Sequence, residues 1–129
     1  MELTFEPTIF VVEDNLLYQQ LIAKELESVS NDIHFYTKGE SCLQELYKNP
    51  TVVILDYNLD GEINGLDTLK EIRTTKPGIH AILFSNQLGL YSKENLVRYG
   101  SFDFLEKCEH SFIQLKQMIS KLLAIPSLA

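Results

Sequence analysis

The chain has 129 residues, 45% of them hydrophobic, and a formal net charge of −7. That length holds one domain with a real core rather than two, and the apolar fraction is that of a folded chain. The acid excess excludes nucleic acid or anionic membrane as a partner held by bulk charge, and no apolar run approaches a membrane span.

Short apolar runs alternate with amphipathic stretches along the chain. TIFVV (8–12) predicts a buried strand, and NLLYQQLIAKELESV (15–29) a helix with Leu17, Leu21, Ile22, Leu26 and Val29 at helical spacing. DIHFY (32–36) predicts a second strand, and ESCLQELYK (40–48) a short helix ended by Asn49-Pro50. VVIL (52–55) is the third strand, and LDTLKEIRTT carries Leu66, Leu69 and Ile72 at helical intervals before Pro77-Gly78. HAILF (80–84) is the fourth strand, and YSKENLVRY (91–99) a weaker helix that Gly100 terminates. FDFL (102–105) is the fifth strand. SFIQLKQMISKLL closes the series with Phe112, Leu115, Ile119 and Leu122 on one face.

Strict strand–helix alternation predicts an α/β fold with a parallel sheet. Near-continuous apolar strands predict helices on both faces. Right-handed crossovers at this size favour a doubly wound five-stranded sheet in the order 2-1-3-4-5, with five helices. Residues 1–125 form this domain, and 126–129 are a tail or the start of a linker. The acidic start, MELTFEPT, lacks the basic and apolar regions of a signal peptide. Cys42 and Cys108 have no metal-ligand spacing and are expected as free thiols in the cytoplasm.

Doubly wound sheets keep their sites at the carboxyl ends of the strands. Strand one ends in Glu13-Asp14, strand three in Asp56 and strand four in Ser85, while strand five runs to Lys107. At an effective dielectric near 20, two carboxylates 4 Å apart repel by roughly 4 kcal/mol before relaxation. Such a cluster needs cations: Lys107 is one, and Mg2+ the other, since it takes oxygen ligands and keeps several waters. A carboxylate can attack phosphorus and form an acyl phosphate. A metal, a lysine and a serine hydroxyl can then stabilise the transferring group.

With VVEDN (11–15), VVILDYNLDGEING (52–65), ILFSN (82–86) and GSFDFLEK (100–107) in this order, the chain resembles a receiver domain of the two-component response regulators. The resemblance spans nearly the whole length, is chemotaxis-regulator-like, and implies the flavodoxin-like receiver fold. It implies that Asp56 accepts phosphate from a sensor histidine kinase or a histidine phosphotransfer protein. It makes Asp14 the direct Mg2+ ligand of the acidic pair, with Glu13 acting largely through water, Asp56 beside them and the backbone carbonyl of Asn58 completing the set. Ser85 and Lys107 would contact the phosphoryl group. Phe104 matches the aromatic switch position that follows Ser85, and Asn58 and Gln87 the positions that tune dephosphorylation. The surface so switched is that of the fourth helix, fifth strand and fifth helix. Output would pass to a downstream protein or an attached effector domain. The chain would catalyse only its own phosphorylation and dephosphorylation, without binding nucleic acid or membrane.

The chain also departs from the family pattern. Cys108 follows the lysine where proline is usual, leaving the geometry of that loop open. Asn86 stands where a small residue is common and is expected to narrow access. The loop after Asp56 has Asp60 in place of proline and its closing glycine one residue late, at Gly65; Asp60-Gly61 and Asn64-Gly65 both suit tight turns.

Plainer readings stand beside these. Glu13-Asp14 can be a polar helix start, Ser85 a turn residue, Lys107 a solvated lysine and Phe104 a core residue. His34, His80 and His110 share no metal-like spacing and are read as structural or surface residues, and Tyr91 and Tyr99 as packing residues or partner anchors. The competing function is a pseudo-receiver, binding a partner without phosphorylation, motivated by Asn86 and Cys108. A small phosphatase would need a second acid two residues after Asp56, where Asn58 stands. Nucleotide binding lacks GxxxxGK[ST] and GxGxxG, and the acidic EDNLL would repel a flavin phosphate.

Overall fold

In the computed structural model, which describes residues 6–59, 61–86, 103–108 and 110–123, the predicted alternation is present. The elements are β1 (Thr8–Val12), α1 (Leu16–Leu26), β2 (Asp32–Tyr36), α2 (Gly39–Gln44), β3 (Val52–Leu55), α3 (Gly65–Thr75), β4 (His80–Ser85), β5 (Asp103–Glu106) and a C-terminal helix (Ser111–Leu122). The sheet is parallel throughout, in the order β2-β1-β3-β4-β5. The predicted helix over 91–99, Gly100, Asp60, Gln87, Tyr91 and Tyr99 lie outside the described residues. Among the described residues no helix is long and apolar enough to cross a membrane.

Strand alternation divides the core into two clusters. Phe10, Val12, Val53, Leu55 and Leu83 face α2 and α3, packing on Cys42, Leu66, Leu69 and Ile72. Ile9, Val11, Ile54, Ile82 and Phe84 face α1 and the C-terminal helix, packing on Ile22, Leu26, Leu115 and Ile119. Each such side chain, fully buried, contributes about 1.5–3 kcal/mol. The edge strand β2 is half-buried along its whole length, because only one neighbour covers it.

Four local expectations are corrected. Leu17 and Leu21, expected on the buried stripe of the first helix, are 61% and 39% exposed. The inward face runs through half-buried Tyr18 and buried Ile22 and Leu26, displaced by one position, or about 100° around the helix. Asn15 is not the first helical residue but the N-cap, its side chain accepting from the Tyr18 backbone N–H at 3.1 Å. The helix predicted over 40–48 breaks instead into α2 and a 3-10 turn (Leu46–Lys48), which stops at Asn49 in the left-handed conformation (φ 55°).

Asn64-Gly65, expected as a tight turn, is a helix start. Asn64 accepts from the Asp67 backbone N–H at 2.9 Å, and Asp67 accepts from that of Asn64 at 3.2 Å, forming a capping box. Gly65 is required by close approach. A Cβ there would lie 2.1 Å from the Asp56 carbonyl oxygen and 2.8 Å from the Tyr57 Cα, both backbone atoms that cannot swing aside. Gly65→Ala is therefore expected to destabilise the fold by about 1–3 kcal/mol, read from the urea unfolding midpoint. The backbone it displaces carries Asp56.

Candidate functional site

The strand register builds the site. Val12 pairs with Leu55, so the next residues, Glu13 and Asp56, emerge side by side. Ser85 pairs with Glu106, so Lys107 emerges beyond them on β5. The ladder continues one bond past the strands: Glu13 N–H donates to Tyr36 O at 2.8 Å, Asp56 N–H to Val12 O at 3.0 Å, and Lys107 N–H to Ser85 O at 3.2 Å. With the pleat maintained, Glu13 follows Val11, Asp56 follows Ile54 and Lys107 follows Leu105. All three therefore fall on the sheet face that α1 and the C-terminal helix cover.

They meet as a buried ionic group. Lys107 Nζ donates to Glu13 Oε1 at 2.5 Å and to Asp56 Oδ2 at 3.0 Å. The three side chains are only 3%, 2% and 10% exposed, in the order Lys107, Glu13, Asp56. Asp14, half-buried, completes an acidic trio: Glu13, Asp14 and Asp56 each offer a carboxylate oxygen within 4.8 Å of the others. Ser85 is fully buried at the end of β4, whereas Asn58 and Asn86 are exposed beside the site. Phe104 is 37% exposed on β5 and is not a closed core residue.

The question left by Cys108 is answered by Ser111. Its hydroxyl, fully buried, accepts from the Cys108 N–H at 2.9 Å and donates to the Cys108 carbonyl at 2.7 Å. This two-way bond pins the loop so that Lys107 reaches both carboxylates without a proline. Sequence reasoning missed Ser111, and it missed Tyr18, whose ring lies 4.1 Å from Lys107 Nζ. The only signal for Tyr18 was an aromatic one helical turn after an acid, which is a common pattern in cores.

Three carboxylates against one ammonium leave a net negative pocket with oxygen donors alone, the donor chemistry that a hard divalent cation takes. Burial, with the Asp56 charge adding, pushes the Glu13 carboxyl up to about 7 against the opposing hydrogen bond from Lys107. The folded metal-free chain then holds a proton that an unfolded glutamate has released. Its stability is therefore expected to fall as pH rises from 4.5 to about 7. Thermal unfolding in EDTA across that window checks the sign. A stability that climbs instead would mean that Lys107 keeps Glu13 ionised throughout.

A family model, the response regulator receiver domain, matches residues 9–120. Among curated proteins, a protein-glutamate methylesterase/protein-glutamine glutaminase of Clostridium acetobutylicum is 34% identical over 81% of this chain and 31% of its own length. The transcriptional regulatory protein CssR of Bacillus subtilis is 30% identical over 78% of this chain and 44% of its own. The chain thus spans less than half the length of these relatives. Among solved structures, response regulator protein TrrA of Thermotoga maritima, in complex with Mg2+-BeF, superposes with a TM-score of 0.77 at 29% identity, covering 91% of this chain and 99% of that one. A putative response regulator from Chloroflexus aurantiacus shares the fold, with a TM-score of 0.79 at 24% identity over 94% and 100% of the two chains.

Proposed function

The chain belongs to the response regulator receiver domain family, and on that premise we propose that Asp56 accepts a phosphoryl group from a phosphohistidine in a Mg2+-dependent reaction. The donor is a sensor histidine kinase or a histidine phosphotransfer protein. The observation that carries this reading is the geometry of Asp56: a nearly buried carboxylate on a rigid strand end, bonded to Lys107 and crowded by two further acids.

An Asp56 carboxylate oxygen attacks phosphorus, an acyl phosphate bond forms, and the phosphorus–nitrogen bond of the donor breaks. The bonding pair leaves with the imidazole. Lys107 turns from Asp56 Oδ2 to an equatorial phosphoryl oxygen, a move that keeps its ammonium facing negative charge. The Ser85 hydroxyl donates to another of these oxygens. Glu13, anchored by the Asn15 N–H at 3.1 Å and by Lys107, holds the acidic edge of the site in place. When bound among Glu13, Asp14, Asp56 and the Asn58 carbonyl, Mg2+ supplies charge neutralisation for the transferring group. Support for that cation comes from the donor set and from the Mg2+-BeF complex of TrrA.

The phosphorylated state is read through the surface of β5 and the C-terminal helix, with Ser85 and the half-exposed Phe104 as the moving parts; the fourth helix expected in that surface lies outside the described residues. Asn58 and Gln87 set the phosphoryl lifetime. The recipient is a cytoplasmic protein or an attached effector domain, and the chain is not a turnover enzyme.

The test is intact-mass spectrometry after incubation with acetyl phosphate, with Mg2+ or with EDTA. One phosphoryl adduct in Mg2+ and none in EDTA is the expected result. A folded protein that takes no adduct from acetyl phosphate or from a phosphohistidine donor would leave the pseudo-receiver as the function.

A further inference from the structure

An ammonium has three N–H donors, and at Lys107 two go to Glu13 and Asp56. The remaining side meets aromatic faces. Nζ lies 4.1 Å from the centroid of the Tyr18 ring and 5.7 Å from that of Phe84, both inside the range of a cation–π contact. These rings are themselves held. Tyr18 stacks on Phe112 (6.0 Å, 26°), and Phe112 meets Phe84 edge-on (5.4 Å, 85°). The frame therefore joins α1, β4 and the C-terminal helix around one charge.

We propose that Tyr18 is a positioning residue for the phosphoryl-transfer site, its ring face closing the third side of the Lys107 ammonium against water and aiming it at Asp56. The inference rests on reading Lys107 as a phosphoryl contact. A charge held by carboxylates on two sides and an electron-rich face on the third cannot drift into solvent. The electrostatic part of this role needs the aromatic face and not the phenol hydroxyl, so phenylalanine would serve and an aliphatic side chain of similar bulk would not.

Tyr18→Phe and Tyr18→Leu in the full chain separate the ring face from packing. Two readouts are made on each: acylation of Lys107 by a soluble lysine reagent, followed by peptide mass spectrometry, and the rate of adduct formation from acetyl phosphate in Mg2+. The Leu variant is expected to acylate at Lys107 several-fold faster and to take up phosphate roughly ten-fold more slowly. The Phe variant should match the parent in both, and urea unfolding confirms that all three chains are folded. Leu and Phe variants that behave alike in the acylation readout, or a Leu variant with the parent's phosphorylation rate, would overturn the inference. If the parent itself takes no phosphate, the proposed function fails separately, and acylation of Lys107 alone decides whether Tyr18 shields the ammonium.

Discussion

Asp56→Asn is expected to abolish the phosphoryl adduct completely and to make the metal-free protein more stable, not less. The amide is isosteric with the carboxylate, and its oxygen can still accept from Lys107 Nζ, which lies 3.0 Å from Oδ2. What it lacks is the anionic nucleophile. On the stability side, Asp56 meets one ammonium but two acids, Asp14 and a Glu13 that ionises as the pH passes about 7, with ligand oxygens within 4.8 Å. At an effective dielectric near 20, each like-charge contact at about 4 Å opposes folding by roughly 4 kcal/mol before relaxation. The attraction to Lys107 offsets about one of them. Removing the charge also withdraws the Asp56 contribution that helps hold Glu13 up near 7, so Glu13 should titrate closer to its ordinary value. Urea unfolding of both chains in EDTA and in Mg2+ measures this. The variant should lead in EDTA and lose its lead in Mg2+. A variant that is weaker in EDTA would show that the Asp56–Lys107 pair, and not the repulsion, governs the site.

Lys107→Met is expected to be the most damaging single change, in stability and rate together. Methionine fills the volume of the lysine stem but leaves Glu13 and Asp56, 2% and 10% exposed, without their cation. Breaking a buried pair by removing one partner destabilises by about 3–5 kcal/mol, because the surviving charge stays buried and uncompensated. With the Lys107 hydrogen bond and charge that lower it gone, the Glu13 carboxyl should hold its proton to higher pH still, so the deficit should shrink as pH falls and that carboxyl is neutral. It should shrink again on addition of Mg2+. Loss of the donor to the transferring phosphoryl oxygens should slow adduct formation by about 10²–10³-fold. Parallel urea titrations at pH 5.5 and 7.5 (conditions roughly spanning the Glu13 transition), with and without Mg2+, test the electrostatic account. A deficit equal under all four conditions would mark lost packing instead.

Much of this was legible from residues alone. Strand positions came through because buried parallel strands read as apolar runs, and β1, β2 and β3 fall on TIFVV, DIHFY and VVIL. Helix faces were harder. At spacings of three and four, Leu17-Leu21 and Tyr18-Ile22-Leu26 fit one helix equally well, and only the neighbours across α1 choose between them. Asn64-Gly65 was equally ambiguous, since Asn-Gly suits a turn, whereas the Asp67 partner three residues on makes it a capped helix start.

By itself the sequence determined the sheet order, the family and the membership of the acidic edge, because strand ends follow from periodicity, and charges at strand ends are visible in one dimension. Tertiary structure alone decided how those groups pair: that Lys107 spans Glu13 and Asp56, that Ser111 stands in for a proline, and that Tyr18 lies over the ammonium. The physical reason is separation along the chain. Lys107 meets Glu13 across 94 positions and Asp56 across 51, and only strand register and helix packing bring such groups within hydrogen-bond distance.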